Sequence, residues 1–268
     1  MASNQNLSRR AALQQQLMLE EKRKRTNRII TWVSAILVVA VLAVIVILTV
    51  PALLNKGSGA GGNETPPNAT AEFGILLDGK KPQDGVPHLV IYEDFRCPAC
   101  KHREDDYGPI YKKLAAEGKL TVEYRTAYFL DRGRGDNSQR AAIAAATADA
   151  VGRYSEYASV LFKNQAPEYT DEQLRTTFAE EAGITGDELK KFQGLYDSRA
   201  FAGFARSAND AFNTSGVTAT PSYVVNGRLL VFYDEAAKEV LILPDENSFL
   251  TAVTKATEGA DDRTNKPL

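Results

Sequence analysis

The sequence predicts an α/β domain in which a parallel strand-helix-strand unit and a later β-hairpin are separated by an all-helical insertion, with one N-terminal transmembrane helix ahead of it. Three observations predict this. Residues 29–50 are an uncharged and largely apolar run. The strand-type run His88–Tyr92 leads at once into a helix start at Cys97-Pro98-Ala99-Cys100. A helical pattern then occupies about 136–213, between the strand Leu120–Arg125 and a hairpin that opens at Ser222.

The chain's net charge of −2 hides an asymmetry. Residues 1–28 carry seven basic side chains (Arg9, Arg10, Lys22, Arg23, Lys24, Arg25, Arg28) against Glu20 and Glu21, a net of +5, which leaves −7 for the rest. A basic block suits nucleic acid as well as anionic lipid, and the run that follows it decides for the membrane. Ile29–Val50 has 22 residues without a charge. As a helix it spans about 33 Å, enough for a hydrocarbon core of about 30 Å. A buried helix of a soluble domain rarely runs so far without a polar face, and a cleaved signal peptide has a shorter apolar region and a small-residue cleavage site. Residues 1–28 are therefore expected to be a basic cytoplasmic segment, residues 29–50 a single-pass membrane span, and everything beyond Pro51 extracytoplasmic. Residues 51–70, rich in Gly, Pro, Asn and Thr, are expected to be a flexible linker.

The folded domain is expected over 71–258. Phe73–Leu77 predicts a short first strand, and His88–Tyr92 the second. Pro98 suits the first position of a helix, where its missing N–H costs nothing, and Gly118 suits the stop after Glu117. Pro109, after Gly108, is expected to kink or interrupt that helix. Leu120–Arg125 alternates apolar and polar residues, the mark of a strand, which makes a parallel βαβ crossover. Ser138–Phe162 is Ala-rich, Asp171-Glu172 and Asp187-Glu188 look like acidic helix starts, and a further helix ends near Asn213. Ser222–Val225, Asn226-Gly227 and Arg228–Val231 predict strand, type I′ turn and strand. A last helix is expected over Pro244–Glu258 with Asp245 near its start, then a polar tail over 259–268.

The chain has two cysteines, Cys97 and Cys100. On a helix starting at Cys97 their side chains lie about 60° apart on one face, near enough for a disulfide. Three uses compete. A structural staple would close so short a loop that it removes little chain entropy. A zinc site would need His88 and His102, and His102 points about 140° and 200° away from the two cysteines on one helix. A redox centre fits the spacing best.

With the strands placed, Tyr92–Lys101 followed downstream by Gly216-Val217-Thr218-Ala219-Thr220-Pro221-Ser222 resembles the DsbA family of thioredoxin-fold thiol-disulfide oxidoreductases, in its membrane-anchored form, over roughly Phe73–Glu258. The resemblance implies a thioredoxin fold with an all-helical insertion. It implies a redox-active Cys97–Cys100 disulfide with no separate cofactor and no metal, and a cis bond at Thr220–Pro221 facing the cysteines. Cys97, Cys100 and Pro221 would be catalytic, and Phe95, Pro98, Ala99 and Thr220 would meet an extended substrate. The function implied is that of an oxidase, donating its disulfide to reduced exported proteins and reoxidised by a membrane partner, with no role for nucleic acid. A reductase or isomerase on the same fold is the first alternative; a zinc-binding or non-catalytic surface module is the second. Location favours the oxidase, since disulfides form outside the cytoplasm.

Cys97, at a helix N-terminus, faces unpaired backbone N–H groups and the positive end of the helix dipole, which favour its thiolate and make it the expected nucleophile. Cys100, one turn inside, is the expected resolving thiol. A first thiol lowered from about 8.5 to about 5 stabilises the reduced form at pH 7 by about 2.7 kcal/mol, near 60 mV. Two departures from the family bear on this. Strong oxidants of the family carry His in the middle dipeptide, here Pro98-Ala99, which implies a milder potential. The position of the usual buried acid, six residues before the first cysteine, holds Ile91. Glu93 and Asp94 are candidate proton-relay substitutes, Glu93 sharing a strand face with Ile91; the competing reading has both facing solvent. Arg96 and Lys101 would add positive potential, His102 reads as a solvated helix residue, and His88 marks a strand start.

Overall fold

The computed structural model describes residues 62–131 and 135–268; the predicted cytoplasmic segment, membrane span and linker as far as residue 61 lie outside the described residues. Among the described residues no helix is long and apolar enough to cross a membrane. The strands are β1 (Ile75–Leu76), β2 (His88–Glu93), β3 (Thr121–Thr126), β4 (Ser222–Val225), β5 (Arg228–Leu230), β6 (Tyr233–Asp234), β7 (Glu239–Val240) and β8 (Asn265–Pro267). Six form one mixed sheet in the order β1-β3-β2-β4-β5-β8, and β6 and β7 form a separate two-stranded ribbon.

β2 runs inside the sheet, parallel to β3 from His88↔Thr121 to Glu93↔Thr126 and antiparallel to β4 from Leu89↔Val225 to Tyr92↔Ser222. Its side chains alternate between two buried faces, as a strand of period two must. Leu89 and Ile91 join Val122, Tyr124, Tyr223 and Val225 in the main core. Val90 and Tyr92 pack on the other face with Val224, Val217 and Phe212.

Helix α1 (Pro98–Ala116) connects β2 to β3 and is continuous through Pro109, so the expected interruption does not occur. Tyr107, Tyr111 and Leu114, fully buried on either side of the proline, hold the helix to the sheet despite the missing N–H. Gly108 makes room for a neighbour, because a Cβ there would stand 2.7 Å from the carboxyl carbon of Glu104.

The insertion comprises α2 (Asn137–Asp149), α3 (Tyr154–Lys163), a π-helical turn over Gln173–Thr177 running into α4 (Phe178–Glu181), α5 (Gly186–Asp197) and α6 (Ala202–Thr214). The alanines of α2 from Ala141 to Ala146 are all buried, together with Ile143. Small side chains let the other helices of the insertion close around α2. The hairpin turn is as predicted, with Asn226 at φ 49° and Gly227 at φ 71°, the two positive values that a type I′ turn needs. The last helix, α7 (Glu246–Thr257), is capped by the Asp245 side chain, which accepts from the Ser248 N–H at 2.9 Å.

Three further expectations are corrected. The first strand is only two residues long, because Leu77–Gly79 forms a 3₁₀ turn in which Asp78 takes φ 54°. Residues 62–70 are no free linker: Gly62 and Glu64 donate to the carbonyls of Arg199 and Ala200 at 3.0 Å each, Gly203 donates back to Gly62 at 3.0 Å, and Asn68 donates twice to Asp149 at 2.9 Å. This attachment uses backbone and amide groups more than apolar side chains, so composition carries no sign of it. The polar tail is an edge strand, β8, paired with β5 from Arg228↔Pro267 to Leu230↔Asn265. Asn265 is buried, and its side-chain oxygen accepts from Arg228. Val231 donates to the Thr264 carbonyl at 2.8 Å and Leu268 to that of Gly227 at 3.1 Å.

Ending the chain after Arg263 should therefore lower the unfolding free energy by about 2–4 kcal/mol, the loss of several sheet hydrogen bonds and the buried Asn265 contact. Urea denaturation monitored by circular dichroism measures it; a loose tail would leave the midpoint unchanged.

Candidate active site

The turn between β2 and α1 carries the site. Asp94 organises it: its carbonyl accepts from the Cys97 N–H at 2.9 Å, and its carboxylate accepts from the Arg96 N–H at 2.9 Å and the Leu130 N–H at 3.3 Å. Cys97 is the N-cap residue of α1 and Pro98 follows at the helix start. The Cys97 carbonyl accepts from the N–H groups of Cys100 at 3.0 Å and Lys101 at 3.2 Å. Both cysteines are free thiols in this structure, buried at 7% and 3% exposure, while Pro98 and Ala99 between them are exposed.

The second half of the site comes from far along the chain. Because β4 runs antiparallel to β2 with Ser222 opposite Tyr92, the segment just before it is delivered beside the cysteines. The Thr220–Pro221 peptide is cis, as the resemblance implied, and the Cys97 thiol donates to the Thr220 carbonyl at 3.3 Å. That contact needs a proton on the sulfur, so ionisation of Cys97 frees the carbonyl for another donor.

Electrostatics divide the two thiols sharply. Cys97 is brought down to about 5, first by the hydrogen bond that the Cys100 thiol donates to its sulfur and then by the Cys100 N–H, the Thr220 side chain and the Ala99 N–H, which together outweigh burial. Cys100 is pushed far up, by burial first and then by its bond to Cys97 and the repulsion of a second negative charge there. Cys97 is thus the thiol that ionises and Cys100 the one that keeps its proton.

Glu93 and Asp94 are buried at 3% and 0% exposure, so the reading in which they face solvent is overturned. Burial, reinforced by the Glu104 carboxylate, raises Glu93 to about 8 against the lowering effect of Lys112 and of the Tyr154 hydroxyl, which donates to it at 3.3 Å. Asp94 is raised to about 6 by burial, against the N–H groups it accepts from. Asp94 is the cap of the cysteine turn; Glu93 is a neutral carboxyl at pH 7 behind it.

Phe95 is corrected as a substrate contact. Its ring is fully buried and packs on Phe162 of α3 with centroids 5.2 Å apart, so it joins the insertion to the site. The zinc reading loses its histidines: His88 has its ring nitrogens on Thr121 at 2.8 Å and Glu123 at 3.2 Å, and His102 is 79% exposed beside Asp106. Arg96 and Lys101 are spent on Asp131 at 3.2 Å and Asp105 at 3.1 Å. Asp131 also accepts from the N–H groups of Ser138 and Gln139 at the start of α2, at 3.0 and 2.9 Å. Two residues of the site carried no sequence signal. Gln165 and Tyr169, in the connection after α3, donate to carbonyls of the cysteine turn.

The Glu93 carboxyl makes stability depend on pH in a definite direction. Its folded value of about 8 lies above the ordinary carboxylate value, so its contribution is complete below about pH 4.5 and is lost as pH rises through about 8. Glu93→Gln should therefore raise stability at pH 9, on the order of 5 kcal/mol relative to the parent, with little gain at pH 4.5. Urea unfolding at the two pH values measures this; an equal change at both would show that the carboxyl does not titrate on folding.

The fold has counterparts among solved structures. The MdbA protein of Actinomyces oris, a thiol-disulfide oxidoreductase, superposes with a TM-score of 0.56 at 18% identity, covering 75% of this chain and 97% of its own. The MdbA protein of Corynebacterium diphtheriae, likewise a thiol-disulfide oxidoreductase, gives 0.53 at 21% identity over 75% and 96%. Oxidised BdbD of Bacillus subtilis gives 0.51 at 18% identity over 75% and 100%. No curated protein matches the chain in sequence. The family model described as thioredoxin matches residues 83–240, from the turn before β2 to the end of β7, more than half of the chain and both halves of the cysteine site. The chain therefore belongs to the thioredoxin family, with a fold like that of the MdbA thiol-disulfide oxidoreductases and of BdbD.

Proposed function

We propose that this chain is an extracytoplasmic thiol-disulfide oxidase, tethered to the membrane by its apolar segment 29–50, that donates the Cys97–Cys100 disulfide to reduced exported proteins. The observation that carries the oxidase reading is the division between the two thiols, with Cys97 at about 5 and Cys100 far above its ordinary value. A substrate thiolate attacks Cys97 Sγ, the Cys97–Cys100 bond breaks, and Cys100 leaves and takes up a proton. A second substrate thiolate then attacks the substrate sulfur of the mixed disulfide and expels Cys97 as a thiolate. Two electrons pass from the substrate dithiol to the cysteine pair. Cys97 is a good leaving group in the second step because its anion is already stabilised.

Direction follows from the same anion. At pH 7 a thiol at about 5 stabilises the reduced protein by about 3 kcal/mol, two tenfold steps of ionisation, which makes the disulfide oxidising. A membrane partner would have to return the electrons to an acceptor. The basic residues ahead of the span and the location of disulfide formation outside the cytoplasm support the tethered, extracytoplasmic placement. Pro98 and Ala99, exposed beside the sulfurs, and the Thr220 carbonyl, released when Cys97 ionises, offer an extended substrate a surface and an acceptor.

Equilibration with glutathione buffers should place the Cys97–Cys100 pair between about −180 and −120 mV; a value near that of thioredoxin, about −270 mV, would instead make the protein a reductase. In the reduced protein, alkylation of Cys97 by iodoacetamide should be half-maximal near pH 5, and Cys97→Ser should abolish oxidation of a reduced, unfolded substrate.

A further inference from the structure

We propose that Gln165 is a positioning residue for Cys97, through which the helical insertion holds the turn that presents the reactive sulfur. The carboxamide nitrogen of Gln165 lies 2.9 Å from the Phe95 carbonyl and 3.0 Å from the Cys97 carbonyl. An amide NH₂ has two donors, and here each finds a carbonyl of the cysteine turn. Tyr169, fully buried, supports the same turn from the same connection: its hydroxyl donates to the Phe95 carbonyl at 3.0 Å and also lies 3.3 Å from the Leu161 carbonyl. The base of Gln165 is fixed in turn, since its N–H donates to Phe162, the residue whose ring packs on Phe95.

These bonds differ from ordinary structural ones in what their loss would leave behind. Without Gln165, the Cys97 carbonyl keeps the N–H groups of Cys100 and Lys101, and the Phe95 carbonyl keeps the Tyr169 hydroxyl. No buried acceptor is orphaned, so the cost to folding is small. What changes is orientation. The Phe95 and Cys97 carbonyls each lose one fixed donor, and with it part of what sets the direction in which Cys97 Sγ meets the N–H groups of Ala99 and Cys100 that hold its anion. Two N–H dipoles next to Cys97 are removed as well. The sulfur's ionisation therefore depends on a residue of the insertion, 68 positions away in the chain.

The proposal rests on the redox reading of the Cys97–Cys100 pair, and the test separates the two. The full-length protein is compared with Gln165→Ala and with Gln165→Met, which keeps the length and loses both donors. Asn164→Ala is the neighbour control, because Asn164 donates to Val160 and Glu181 and not to the cysteine turn. The readouts are the pH dependence of Cys97 alkylation, the equilibrium with glutathione, and the urea midpoint. Both Gln165 variants should shift the ionisation midpoint upward by about one pH unit. Both should make the pair about tenfold less oxidising against glutathione, equivalent to about 30 mV. Their urea midpoints should stay near the parent's, and Asn164→Ala should move neither thiol readout. Midpoint and equilibrium within twofold of the parent in both Gln165 variants would overturn the proposal, as would an equal shift in Asn164→Ala. A parent potential near that of thioredoxin would overturn the oxidase reading alone, since the shift between parent and variants is measured either way.

Discussion

The structure depends on one electrostatic arrangement, a sulfur anion held at the first turn of α1. The donors are few and mostly local: the Cys100 thiol and the N–H groups of Ala99 and Cys100, with Thr220 added from the segment before β4. They are available because a helix start leaves its first N–H groups without internal partners, and because Cys97 is the residue that caps it. A thiol in the middle of the same helix would find every N–H already spent. The neighbouring Cys100 donates as long as it keeps its own proton, which burial ensures. The difference between the thiols is therefore a property of the pair and of its depth, and neither cysteine alone would have it.

Everything around the pair fixes that helix start in space. Asp94 closes the turn with its carbonyl and its carboxylate, and its Leu130 bond ties the turn to the segment leading out of β3. Arg96 reaches Asp131, which caps α2 of the insertion. Phe95 is buried against Phe162, and Gln165 and Tyr169 take the carbonyls that remain. The insertion is thus attached to the site at several points and cannot move without moving the turn. On the other side, the pairing of β4 with β2 carries Thr220 and Pro221 to the sulfur.

A second layer of chemistry lies behind the first. Glu93, Tyr154 and Thr126 form a buried polar chain, with the Tyr154 and Thr126 hydroxyls 3.2 Å apart. Glu104, beside Tyr111 and 2.6 Å from Lys112, is a further carboxylate whose charge is felt at Glu93. Keeping Glu93 neutral at pH 7 is the cheaper state for the fold, because an ionised carboxylate there would have to be desolvated beside another one.

The sequence by itself determined the local signals around the site and at the element ends. The Cys-Pro-Ala-Cys at a strand end, the Asn226-Gly227 turn and the Asp245 cap are local signals, each set by backbone sterics or by orphan N–H groups within a few residues, and all three reappear in the structure. Only the tertiary structure decided which way Glu93 and Asp94 face, that Phe95 packs inward, that Pro109 leaves α1 whole, and that residues 62–70 and 264–268 join the fold. Those outcomes depend on partners 30 or more positions away: Phe162 for Phe95, Arg199 and Asp149 for the N-terminal strap, Arg228 for Asn265. Gln165 is the extreme case, a lone amide in a loop whose meaning comes only from two carbonyls brought to it by the packing of the insertion. Short-range rules write secondary structure and cap chemistry into composition and spacing; burial and long-range hydrogen bonds exist only once the chain has folded back on itself.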